Sequence, residues 1–134
     1  MKRKTQYLNT DLDLVAGQSL EALAAVFEAR GVFPLHVDQR EDGKWYSTLE
    51  TYEQFTEPEP NIAAFLAVIE ALDSRSRELW SACLSRELNI GYECGDEPRG
   101  FNHELTVATL GRMATLGISL RVTLYPAEPA TAVT

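Results

Sequence analysis

Cysteine is scarce in this chain. Cys83 and Cys94 are the only two, and neither has a neighbour at the spacing of a zinc ligand. Cys94 falls in phase with Leu88, Ile90 and Tyr92, and Cys83 lies four residues past Leu79, so both read as small core hydrophobes rather than a disulfide pair. Long apolar runs are missing too. No stretch approaches the roughly 20 residues a membrane-crossing helix needs. The basic start, Met1-Lys2-Arg3-Lys4, leads into polar Thr5-Gln6 where a signal peptide would carry its apolar core. The expectation is a cytoplasmic chain without a membrane partner. Positive charge is also in short supply: 12 Lys and Arg stand against 20 Asp and Glu, a net charge of −8. Phosphate binding needs clustered cations, which argues against nucleic acid as the principal partner. An acidic total serves either solubility or complementarity to a basic partner. No serine sits in a nucleophile elbow, and no Gly-x-Gly-x-x-Gly or Walker loop occurs. No catalytic residue and no cofactor is expected.

What is present is a regular alternation of strands and helices. With 134 residues the chain has the size of one domain able to bury a core without disulfides or metal. The ordered part is expected over about 5–126, with a frayed tail over 127–134 after Pro126. Residues 7–15 alternate, with Leu8, Thr10, Leu12 and Leu14 on one side and Tyr7, Asn9, Asp11 and Asp13 on the other. A helix is predicted over 19–30, stopped by Gly31. Residues 32–39 form a strand whose Pro34 suits a sheet edge, since proline donates no ladder hydrogen bond. Asp42-Gly43 turns the chain into a return strand over 44–52. Its two phases, Trp45, Ser47, Leu49 and Tyr46, Thr48, Glu50, are too alike to say which is buried. The aromatics Trp45, Tyr46, Tyr52 and Phe55 gather around this hairpin, either as a binding patch or as the cap of one end of the core.

After an acidic, proline-bearing loop, a helix buries Ile62, Phe65, Leu66, Ile69 and Leu72. A second, capped by Asp73 or Ser74, carries Leu79, Trp80, Cys83 and Leu84. Residues 88–94 form a strand, Phe101 to Leu105 a short partner strand, and Thr106 caps a helix ending at Gly117. The last strand, 118–125, sets Ile118, Leu120, Val122 and Leu124 against Arg121, Thr123 and Tyr125. The pattern specifies an α+β fold: a mostly antiparallel sheet with helices on one face, a split-βαβ or ferredoxin-like relative.

If the apolar phases all face the helices, the opposite phases share an open face holding Tyr7, Asn9, Asp11, Asp13, Asn89, Glu93, Arg121 and Tyr125, with His36 and Asp38 joining from the second strand. Asp11 and Asp13 lie about 7 Å apart on one strand. With Glu93 they offer oxygen ligands for a hard divalent cation. The plainer reading is that a half-solvated sheet needs polar residues there, with Arg121 neutralising an aspartate. His36 is either a general base beside a carboxylate or an exposed strand residue, and His103 fills a surface position. Gly91 in mid-strand marks either a bulge or a close approach, by the ring of Tyr7 or Tyr125 or by a partner.

The segments 9–13 (NTDLD), 86–95 (RELNIGYECG) and 116–126 (LGISLRVTLYP) resemble short single-domain bacterial proteins classed only as a domain of unknown function. The resemblance runs from Tyr7 to Pro126. It implies a stand-alone bacterial cytosolic protein and adds no catalytic residue. The expected function is a non-enzymatic binding or regulatory module whose acidic open face recognises a protein partner. Two alternatives stand beside it: a small divalent-metal-dependent hydrolase or nucleotide-handling enzyme using Asp11, Asp13 and Glu93, and a structural homodimer subunit joined through the open face or an edge.

Overall fold

The computed structural model describes residues 2–127. Its elements run β1 (Gln6–Ala16), α1 (Glu21–Ala29), β2 (Val32–Gln39), β3 (Trp45–Thr51), α2 (Pro58–Glu70), α3 (Ser74–Ser81), β4 (Ser85–Cys94), α4 (Val107–Thr115) and β5 (Ser119–Pro126). Beyond Ala127, the expected tail lies outside the described residues.

The strands form one sheet in the order β2-β3-β1-β4-β5. β3 lies between β1 and β2, antiparallel to both, and β4 is antiparallel to β1. β4 and β5, joined through α4, run parallel with Ile90 beside Val122. The sheet is therefore mixed, where a mostly antiparallel one was expected. A helix between two neighbouring strands returns the chain to the same end, which makes the pair parallel.

Alternation places Leu12, Leu14 and Ala16 of β1, Leu49 of β3, and Leu88 and Ile90 of β4 in one core with the helices. Leu23 and Phe27 come from α1, Ile62, Phe65, Leu66 and Ile69 from α2, Leu79 and Trp80 from α3, and Met113 from α4. The expected caps form: Asp73 accepts from the Ser76 amide, and the Thr106 hydroxyl from the Thr109 amide. Gly31 and Gly117 follow their helices at φ of +90° and +70°, a region only glycine enters freely. Arg86 does what no pattern announced. Its guanidinium donates to the carbonyls of Trp80, Cys83 and Gly117, satisfying groups left over where α3 and α4 end.

Three further expectations change. Phe101 to Leu105 is not a strand. It is held by side chains: the ring of His103 stacks on Tyr92 at 5.5 Å, Phe101 meets His103 edge-on at 4.8 Å, and the Tyr92 hydroxyl lies 3.0 Å from His103 Nδ1. Of the apolar phase of β5, only Ile118, just before the strand, is buried; Leu120, Val122 and Leu124 are exposed. α4 lies beside α2, tied to it by the Arg112–Glu70 ion pair at 2.7 Å, so it leaves β5 uncovered. Tyr7, assigned to the open face, points under the helices instead. A bulge between Tyr7 and Asn9 breaks the period of two, and the Tyr7 hydroxyl donates to Asn61 Oδ1 of α2 at 2.6 Å. Leu8 is correspondingly turned out.

At its start the chain crosses the end of β4. A Cβ on Gly95 would lie 2.5 Å from the Arg3 carbonyl oxygen and 2.6 Å from the Lys4 carbonyl carbon. Both are backbone atoms, which cannot swing away. Gly95→Ala is expected to peel off residues 3–5 and break the Asp96–Arg3 and Thr5–Glu97 backbone bonds, costing about 1 kcal/mol. Urea unfolding with hydrogen exchange at the Thr5 amide would measure both effects, and unchanged protection there would contradict the account.

Candidate functional site

The open face of the sheet is built around β1. Because Thr10, Leu12 and Leu14 turn inward, Asn9, Asp11 and Asp13 turn outward. On β3 it is Ser47 and Leu49 that are buried, which puts Thr48 and Glu50 beside the β1 acids. The Asn9 amide donates to Asp11 Oδ1 at 2.9 Å and to Glu50 Oε2 at 2.6 Å, and the Thr48 hydroxyl donates to Asp13 Oδ1 at 2.6 Å. Neutral donors thus link these acids, and no cation pairs with any of them among the described residues. The electrostatic result falls on Asp11. Half-burial, then the negative charges of Glu50 and Asp13, push its carboxyl up to about 7.

A row of hydrogen bonds continues toward β2. Asp38 Oδ1 lies 2.6 Å from His36 Nδ1, and His36 Nε2 lies 3.2 Å from the Thr48 hydroxyl. Carboxylate, imidazole and hydroxyl in line resemble a hydrolytic relay. Here, however, the hydroxyl gives its hydrogen to Asp13, so Thr48 is not a nucleophile poised on His36.

On the other side of β1, the partners are local. Thr123 donates to Asn89 Oδ1 at 2.7 Å, Arg121 pairs with Glu87 at 2.6 Å rather than with an aspartate, and Glu93 accepts from Gln6 at 3.2 Å. The ring of Tyr125 comes to within 3.6 Å of where a Gly91 Cβ would sit, with Asn9 on the other side. The close approach that Gly91 announced is therefore internal. The three carboxylates offered as metal ligands do not converge. Asp11 lies opposite Asn89, whereas Glu93 lies opposite Gln6, four residues further along the strand. Among the described residues, no group of three His, Cys, Asp or Glu is arranged to hold a metal ion.

The acids end at a hollow. The β1–β3 ladder runs from Ala16–Trp45 to Leu12–Leu49 and stops there. Asn61, 3% exposed on α2, takes up the groups left without ladder partners: its Oδ1 accepts from the Thr10 amide at 3.2 Å, and its amide donates to the Thr51 hydroxyl at 3.0 Å. Above Asn61 lies a cavity of about 400 Å³ with Leu8, Asn9, Glu50 and Glu53 on its walls. Phe33, Tyr52 and Phe55 also line it, with the Phe33 and Tyr52 rings 4.6 Å apart. The hairpin aromatics therefore separate. Trp45 packs on the core, Tyr46 stays at the turn under Arg40, and Tyr52 and Phe55 serve the hollow.

Sequence reasoning found Asn9, Asp11 and Asp13 but missed Glu50, Thr48 and Asn61. The two faces of β3 carry similar side chains, and only the pairing with β1 assigns Glu50 outward. An asparagine amid the apolar stripe of α2 was the one available signal for Asn61. No helix among the described residues is long and apolar enough to cross a membrane. No family model, curated protein or solved structure matches this chain.

Proposed function

We propose that the protein is a non-enzymatic binding module whose acidic open face recognises a basic segment of a protein partner. The observation that carries this reading is an acid group with no ion pair among the described residues: Asp11, Asp13 and Glu50 share one face, linked by neutral donors. Half-burial, and after it the charges of Glu50 and Asp13, hold Asp11 near 7; a partner cation placed there offsets those charges and favours its ionised form. Beside it, the hollow offers aromatic rings and Glu50 and Glu53, a fit for the aliphatic stem and charged head of a lysine or arginine. The free thiols Cys83 and Cys94 agree with a reducing, cytoplasmic setting. The arrangement β2-β3-β1-β4, with β3 between the strands flanking α1, supports a ferredoxin-like origin to which β5 was added.

The test is calorimetric titration with a lysine- and arginine-rich peptide at low and moderate salt, in buffers of different ionisation enthalpy. Binding is expected to weaken with salt and to release protons near pH 7, as Asp11 ionises against its new partner. An Asp11→Asn/Asp13→Asn/Glu50→Gln variant that keeps its fold is expected to bind at least about tenfold more weakly. Equal affinity in that variant, or binding without proton release, would overturn the reading.

A further inference from the structure

The two edges of the sheet are unlike. β2 carries Pro34, which has no amide to offer, and its ladder is broken between Pro34 and His36. β5, by contrast, has an unbroken register with β4 over all eight of its residues, and its only proline is the last residue, Pro126. Its outer backbone groups have no strand partner among the described residues. Its helix-side face is also bare, with Leu120, Val122 and Leu124 exposed by 42%, 55% and 63%. Soluble proteins rarely leave an unprotected edge and an apolar row together.

We propose that β5 pairs antiparallel with β5 of a second copy about a two-fold axis through Val122, joining two sheets into one of ten strands. The row Leu120-x-Val122-x-Leu124 reads the same in both directions. In that register, Val122 faces its own copy and each Leu120 faces a Leu124, so the apolar row is self-complementary. On the opposite face, each Arg121 meets Thr123 of the other copy, and the Arg121–Glu87 pair stays intact. Moving the axis to Arg121 would set two arginines against each other, which the charge pattern rejects.

α4 extends the patch. At 3.6 residues per turn, Leu110 lies on the flank of α4 opposite Arg112. Since Arg112 faces α2, Leu110 lies on the side of α4 turned away from α2, and it is 44% exposed. The four apolar side chains, with the outer side of the strand, offer on the order of a few hundred Å² per copy, the apolar centre of an interface whose standard size is roughly 800 Å² per partner.

Sedimentation velocity over a range of concentrations tests this, together with hydrogen exchange at the β5 amides. Wild-type protein is expected to sediment as a dimer with the outward-facing β5 amides, those not bonded to β4, protected. Val122→Lys, a change at an exposed position, is expected to give a folded monomer with those amides unprotected. With Cys94→Ser as background, Val122→Cys is expected to form a covalent dimer on mild oxidation, and Arg121→Cys to form far less. A wild-type monomer at high concentration, a dimer that survives Val122→Lys, or cross-linking that favours position 121 would each overturn the proposal.

Discussion

Replacing Asn61 with leucine is expected to cost about 3 kcal/mol, measured as a fall in urea midpoint at unchanged slope. The volume is nearly kept, so the loss is of hydrogen bonds rather than of packing. Asn61 accepts from the Thr10 amide and the Tyr7 hydroxyl and donates to the Thr51 hydroxyl. Thr10 is 1% exposed, so its stranded amide has no water to turn to. The Tyr7 hydroxyl loses less, because it keeps Thr10 Oγ1 at 2.6 Å. Aspartate at the same position is expected to recover part of the loss, since it restores the acceptor for Thr10 but not the donor to Thr51. A leucine variant as stable as wild type would mean that β1 and β3 close up once the amide is gone. In that case the hollow beside them would close too.

Asp11→Asn is expected to act in the opposite direction and to depend on pH. In the folded chain the Asp11 carboxyl titrates at about 7, against an ordinary value of 3.8. The folded state therefore holds this proton more tightly than the unfolded state does. The stability linked to it is fully present below about 4 and is lost as pH rises through about 7. Allowing for solvent screening at a half-buried site, the loss is about 1–2 kcal/mol. An amide at position 11 keeps an acceptor for Asn9 and adds a donor toward Glu50, with no charge to repel it. The variant is expected to be more stable than wild type by that amount at pH 8 and level with it near pH 4. Thermal unfolding of both proteins at the two pH values is the measurement, and a pH-independent difference would contradict the assignment.

Much of this arrangement was legible in residue order, and the failures have common causes. Periodicity found the four helices and five strands of the described residues, because an amphipathic segment must commit one face to the core. Pro34 placed β2 at an edge, and Thr106 and Asp73 marked true helix starts. The false strand at Phe101 to Leu105 alternates because its rings alternate in packing, not because a backbone ladder forms. Leu120, Val122 and Leu124 show the limit of pattern: apolar alternation reveals that a face prefers to be covered, but not whether this chain covers it. Tyr7 shows another. One extra residue in a strand reverses every side chain before it, and nothing in Gln6-Tyr7-Leu8-Asn9 announces the bulge. The open phase of β1 held from Asn9 to Asp13 but not at Tyr7, whereas Glu50 depended on a partner strand that local sequence cannot choose.

The missing amide of Pro34 has a consequence for crowded solutions. A sheet able to add neighbours at both borders could grow without limit into filaments. Pro34 interrupts the β2 border, which disfavours further pairing there once the β5 side is occupied as proposed. A ring-closed residue on the far margin thereby works against fibre formation.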